Sequence, residues 1–260
     1  DVALDQSGGY EFFTDVDEMT EFAAMLAAQQ THLGNTFSHE VLSTGDLQKQ
    51  IDGIGPDVVG ATFSQQDGHV NPLRFLRALR LSVQALGGTI KTNAQVASID
   101  PVTGVGFDLT LANGERLGAG KVLLCAGLGA RTLAADLGFQ SKIRPQRGEL
   151  LITEKLGVRL PFISSTIRQA DEGGVQIGGT KADVGMDDSE TLDVMAGLAR
   201  HAVQVFPALA DVRVVRAWGA LRVMSPDGYP VYARSKEHPD AYLVTCHSGV
   251  TLASLHASVL

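Results

Sequence analysis

The residue pattern of this chain changes character at Pro145. Before it, helical periodicity alternates with short strands. One apolar run, Lys121 to Cys125, leads into Ala126-Gly127 in the manner of a buried parallel strand. After it, Leu150 to Thr153, Phe162 to Arg168 and Val175 to Gly179 read as antiparallel strands, the last two joined at Asp171-Glu172-Gly173-Gly174. Neither an internal repeat nor a low-complexity linker separates the two patterns. The expected class is therefore α/β with α+β elements, as two interleaved domains without a clean boundary. With 260 residues, 44% of them hydrophobic, there is enough apolar material for such a core.

The helices have local start and stop signals. Asp15 with Glu18 three residues on predicts a capping box, and Met19, Phe22, Ala23 and Leu26 then fall on one face. Asn71-Pro72 opens a second helix carrying Leu73, Leu76, Leu79, Leu81 and Val83, which Gly87-Gly88 ends. A third is expected from Thr191 to Val205, before Pro207. Leu4 to Phe13 reads as strand material broken by Gly8-Gly9, and Leu33 to Gly60 gives a mixed signal. Thr89 to Thr92 and Gln95 to Ile99 are short and β-prone, and Phe107 to Leu111 precedes a turn with Asn113-Gly114 at its tip. Strands Val212 to Leu221 and Tyr242 to Thr245 flank the turn Ser225-Pro226-Asp227-Gly228, and Gly249 to Leu260 begins like a helix with no terminator.

Composition removes several classes of function. A net charge of -8 without clustered Lys and Arg argues against a nucleic-acid surface. Cys125 and Cys246 form no CxxC pair, which excludes a Cys-rich metal site or disulfide scaffold and points to a reducing, cytoplasmic setting. No metal ligand set is expected. No uncharged apolar stretch reaches the ~18 residues of a membrane span, and the first ten residues carry two Asp rather than a leader pattern.

Four segments carry possible chemistry. No GxGxxG fingerprint occurs; Gly127-Leu128-Gly129 has two glycines without the third, and reads either as a strand-ending turn or as a close approach to a ligand. Asp67-Gly68-His69-Val70-Asn71-Pro72 reads first as turn and cap chemistry, with His69 either facing a site or, as is usual for a lone histidine near a helix start, structural. Arg222 stands between apolar residues at a strand end, where its planar fork needs a carboxylate, from the protein or from a substrate. Thr245 to Leu252 runs from a strand through a glycine turn into a helix start. It is either an ordinary start or a place where outward N–H groups stabilise an anion.

In this order, five segments resemble the D-amino acid oxidase-like family of FAD enzymes, which act on glycine, sarcosine and D-amino acids. They are Asp67 to Pro72, Val122 to Gly127, Arg144-Pro145-Gln146-Arg147-Gly148-Glu149, Gly219 to Arg222 with Ser225 to Val231, and His247 to Ala253. Two further stretches, Ile167-Arg168-Gln169 with Gly174 to Gly179 and the segment from Thr245 to Leu252, are similar to a subset of that family. The subset comprises the FAD subunits of opine oxidases, hydroxyproline or D-amino acid dehydrogenases and the glycine-oxidising hydrogen cyanide synthase.

The resemblance implies FAD as cofactor, a small amino-acid or opine substrate, and electron-transfer partner subunits. It implies a partial FAD-binding Rossmann-like layer interleaved with an antiparallel-sheet substrate domain. Residues 1–66 and 150–223 are then the substrate-domain portions, and 67–149 and 224–260 the FAD-domain portions. It makes Arg222 the substrate-carboxylate anchor, with His247 and Arg168 as further substrate residues. Ala126, Gly127, Ser248, Gly249, Val250 and Thr251 become flavin contacts, and Val96 a backbone contact on the adenine side. No residue is singled out as catalytic. The family places GxGxxG near its N-terminus and this sequence lacks it, so the expectation is a chain that by itself binds FAD poorly and does not turn over.

Overall fold

The computed structural model describes every residue except 103, 105 and 260, so the last residue of the helix expected at 249–260 lies outside the described residues. The chain divides into two compact units that exchange segments. Unit 1 comprises Asp1–Leu79, Gly148–Lys181 and Asp188–Ala220; unit 2 comprises Arg80–Arg147, Ala182–Asp187 and Leu221–Leu260.

Unit 1 begins with β1 (Gly9–Phe13) and α1 (Val16–Leu33). Asp15 caps α1, its Oδ1 accepting from the N–H groups of Asp17 (2.8 Å) and Glu18 (3.0 Å). Met19, Phe22, Ala23 and Leu26 are half-buried, as their spacing predicts. Within the mixed 33–60 region lie β2 (Glu40–Ser43) and α2 (Thr44–Gln50), and β3 (Gly60–Ser64) follows. β3 pairs antiparallel with both neighbours, giving the order β1-β3-β2. The sequence showed neither β2 nor β3, because such short segments acquire a strand identity only from their partners. Helix α3 (Pro72–Ala85) begins in unit 1 and ends in unit 2.

The second sheet contains β8 (Arg144–Lys155), β9 (Ile167–Gln169), β10 (Gly174–Gly178) and β11 (Val214–Met224), in the order β11-β8-β10-β9. The strand expected over 162–168 shrinks to β9. The Ser164 hydroxyl accepts from Ile167 N–H (2.9 Å) and donates to Ile167 O (3.0 Å), closing a turn there instead. One face of this sheet is packed by α5 (Leu192–Val205), which buries Met195, Leu198, Ala202 and Val205. They join Phe12, Leu47, Ile51, Ile167, Val175 and Ile177 in one core.

Unit 2 holds a meander of β4 (Val96–Pro101), β5 (Phe107–Leu111) and β6 (Arg116–Ala119). Asn113-Gly114 makes the β5–β6 turn: Gly114 sits at φ +86°, and Asn113 Oδ1 accepts from Glu115 N–H at 3.0 Å. Residues 89–92 form no strand, because the left-handed Asn93 (φ +56°) turns the chain before any pairing is possible. β7 (Val122–Leu124) leads into α4 (Ala130–Leu133) and runs parallel to β13 (Ala241–Thr245), which pairs antiparallel with β12 (Val231–Arg234). Helix α6 (Ala253–Val259) follows. Ile99, Phe107, Val122, Leu124, Leu137 and Leu243 are central to this unit's core.

Candidate functional site

In unit 2 the parallel strands β7 and β13 end side by side, and a cavity of about 550 Å³ opens beyond their carboxyl ends. Open α/β sheets bind ligands at this location. The wall includes Cys125, Gly127, Thr245, Cys246, Gly249 and His256. Gly127 adopts φ +54°, a conformation that suits glycine, and a Cβ there would come within 3.3 Å of Val223 Cγ2. Thr245 Oγ1 is buried without a hydrogen-bond partner among the described residues. A buried hydroxyl left in this state fits a site whose polar complement comes from a ligand.

The cysteines are free, and burial pushes both thiols above their ordinary value, with Cys246 adding to the rise at Cys125. Their surroundings therefore do not favour the thiolate of either cysteine. A short relay supports the wall: Tyr232 OH lies 2.9 Å from His256 Nδ1, and His256 Nε2 lies 3.4 Å from Cys246 Sγ.

Of the residues expected at a flavin ring, Gly127 and Gly249 line this cavity. Ala126 is exposed beside Gly127, and Ser248, Val250 and Thr251 are exposed in the turn before α6. In that turn Gly249 N–H donates to His247 O (3.0 Å), Leu252 N–H to Ser248 O (3.0 Å) and Ala253 N–H to Val250 O (3.2 Å). Val96 lies on β4 opposite Leu111 and is not part of this wall. Arg222 is half-buried near the end of β11, where burial pulls its guanidinium below the ordinary arginine value. His247 is exposed immediately after β13.

Unit 1 has its own cavity, of about 500 Å³, between the start of α3 and the sheet. His69, Asn71, Arg168, Asp171, Gln176 and Trp218 are among its lining residues. Arg168 and Gln176 are cross-strand partners on β9 and β10. The guanidinium donates to Gln176 Oε1 through Nη2 (2.8 Å) and Nε (3.3 Å). Arg216 lies 5.1 Å from the Trp218 ring centroid, a cation–π arrangement. Burial, and next the positive charge of Arg168, hold His69 below the usual imidazole range, with Asp5 opposing. The sequence had marked Arg168. Gln176, Arg216 and Trp218 join it only because β9, β10 and β11 meet in one sheet.

Comparison with known proteins gives the class first. Glycine oxidase from Geobacillus kaustophilus superposes with a TM-score of 0.87 over 98% of this chain and 70% of its own, at 20% identity, so the two share a fold. The sequence then fixes the family. Residues 1–260 match the FAD dependent oxidoreductase (DAO) family along their whole length, and the chain belongs to it. The opine oxidase B subunit of Agrobacterium tumefaciens (strain Ach5) is 39% identical over 263 residues, covering 100% of this chain and 70% of that protein. Its counterpart in Rhizobium meliloti, also an opine oxidase B subunit, is 36% identical over 261 residues, with the same two coverages of 100% and 70%. The cofactor of the family is FAD, and Gly127, Thr245 and Gly249 at the strand-end cavity are suited to hold part of it. Among the described residues no helix is long and apolar enough to cross a membrane.

Proposed function

We propose that this chain carries the substrate-binding sheet and part of the flavin site of an enzyme that oxidises the C–N bond of an amino acid or opine. What carries this reading is the likeness to two opine oxidase B subunits at 39% and 36% identity over the whole chain. When bound, FAD supplies the acceptor for the hydride that leaves the substrate Cα–H. The imine so formed is hydrolysed by water.

The protein's task is positional, and Arg222 performs it. A guanidinium with reduced access to water gives a substrate carboxylate a charge-assisted, two-pronged hold, which fixes Cα against the flavin face. The turn from Ser248 to Thr251, with Ala126 and Gly127, forms the flavin-facing side, and Val96 contributes a backbone contact near the adenine. His247 stands beside the substrate. No acid–base residue is required, provided the amine is neutral when its hydride leaves. The relatives named as B subunits support an assembly with partner subunits, and on this reading electrons pass to such a partner rather than straight to oxygen.

The test is steady-state kinetics of the FAD-loaded enzyme with octopine or a simple amino acid, using an artificial dye as acceptor. Arg222→Ala should raise KM on the order of 30-fold or more, the ~2–5 kcal/mol of a truncated buried charge contact, with FAD content intact. Unchanged kinetics would remove the carboxylate role. Stoichiometric peroxide release in air would replace the partner-protein reading with direct oxidation by oxygen.

A further inference from the structure

We propose that the cavity of unit 1 is a second carboxylate-binding subsite. Arg168 anchors the carboxylate, and Trp218 forms the wall along which the adjoining carbon chain lies. The inference goes beyond the reading above: this cavity takes the carboxylate of a small organic acid, independently of the carboxylate that Arg222 holds.

The argument starts from charge. Arg168 is half-buried, yet both of its hydrogen bonds go to the neutral amide oxygen of Gln176. It forms no ion pair among the described residues, and burial is what holds its guanidinium below the ordinary value. A desolvated charge held only by a neutral acceptor is poorly compensated, and an arriving anion corrects this. Gln176 takes the Nε–Nη2 edge, so a ligand meets the Nη1 side.

The acids on the wall do not serve as that anion. Asp171 Oδ2 lies 2.6 Å from Arg74 Nη2, and its Oδ1 accepts from Asn71 Nδ2 at 2.9 Å. Glu172 Oε1 shares those donors, at 3.7 Å from Arg74 and 3.2 Å from Asn71. Arg216, stacked on Trp218, adds a second positive charge without a carboxylate partner among the described residues. His69, which burial and the charge of Arg168 hold below its usual range, lines the same cavity and adds a polar ring to its wall. A volume of about 500 Å³ suits a small organic acid. A site with such donors discriminates against a ligand lacking the charge, because its guanidinium is then left uncompensated.

Trp218 is the chain's only tryptophan, so its emission reads this cavity without turnover. The protein is titrated with glutarate and with glutaramide, which is uncharged and of similar shape. Glutarate should change the emission saturably, glutaramide should bind at least tenfold more weakly, and Arg168→Gln should weaken glutarate at least tenfold. Absence of a saturable glutarate signal, equal binding of the two probes, or an unaltered titration in a folded Arg168→Gln variant would each overturn the subsite. The two probes on unmodified protein decide the matter even if that variant fails to fold. Arg222→Gln is titrated in parallel. A response that follows Arg222 and ignores Arg168 removes the second subsite while leaving the first anchor standing, and a failure of amine oxidation leaves the titration untouched.

Discussion

Helices α3 and α5 have the same length, 14 residues, and both space their apolar residues for an amphipathic face, yet they are held in opposite ways. α5 buries Met195, Leu198, Ala202 and Val205 in the core of unit 1. α3 buries none of its side chains, and Leu73 and Leu76 are 78% and 64% exposed.

Their ends differ in the same sense. Asn71 Oδ1 caps α3 by accepting from the N–H groups of Leu73 and Arg74, both at 3.2 Å. At the other end Gly87 N–H bonds Gln84 O (3.0 Å) and Gly88 N–H bonds Val83 O (2.8 Å), with Gly87 at φ +83°. That paired arrangement is a Schellman motif, and it needs glycine at the left-handed position. α5 is finished by distant residues instead. The buried carboxylate of Glu149, on β8, accepts from Thr191 N–H at 2.7 Å, and Gly55 N–H reaches the last carbonyl, Val205 O, at 2.9 Å. A periodic face and a local cap can therefore specify a helix without deciding whether anything covers it.

Urea unfolding of unit 1 variants tests this contrast. The largest losses belong to α5. Leu198→Ala should cost about 2–5 kcal/mol, through lost burial plus the cavity left behind. Gly55→Ala should be of similar severity, because its new Cβ would stand 1.7 Å from Gln204 O, a backbone atom on α5 that has little room to shift. A loss below about 1 kcal/mol for both would mean that the α5 side of the core is loosely packed.

Glu149→Gln comes next, at about 1–2 kcal/mol, since it removes a buried negative charge from the positive end of α5. An unchanged midpoint would leave the carboxylate without an electrostatic role there. Asn71→Ala should cost about 1 kcal/mol, the usual value of an N-cap. An effect much larger than that would show that the bonds of Asn71 to Asp171 and Glu172 matter more than the cap. Leu76→Ala should stay within about 0.5 kcal/mol, because its side chain is already in water. A loss of several kcal/mol would sink the contrast between the two helices.

The same division runs through the candidate sites. The family resemblance marked Arg168 in the sequence, but nothing marked its partner. Gln176 faces it only in the antiparallel register of β9 and β10, and Trp218 belongs to a strand more than 40 residues further on. In unit 2 the apolar run ending at Cys125 and the strand ending at Thr245 were each legible. That they lie parallel, and so open a cavity at a common end, is a non-local fact. The lone hydroxyl of Thr245 had no sequence signal at all, because being unpartnered depends on everything around it.

By itself the sequence determined what depends on neighbours within a few residues: the Asp15 and Asn71 caps, the Gly87-Gly88 stop, the turns at Asn113-Gly114 and Asp171 to Gly174, and the ordered motifs that mark a flavoenzyme. Backbone conformation and side-chain capping act over one helical turn or one hairpin, so these signals survive without the fold. Tertiary structure alone decided the β1-β3-β2 sheet, the burial of α5 against the exposure of α3, and the gathering of Arg168, Gln176, Arg216 and Trp218 around one cavity. Those outcomes depend on desolvation and pairing between residues far apart in sequence, and such energies are undefined until the chain has brought them together.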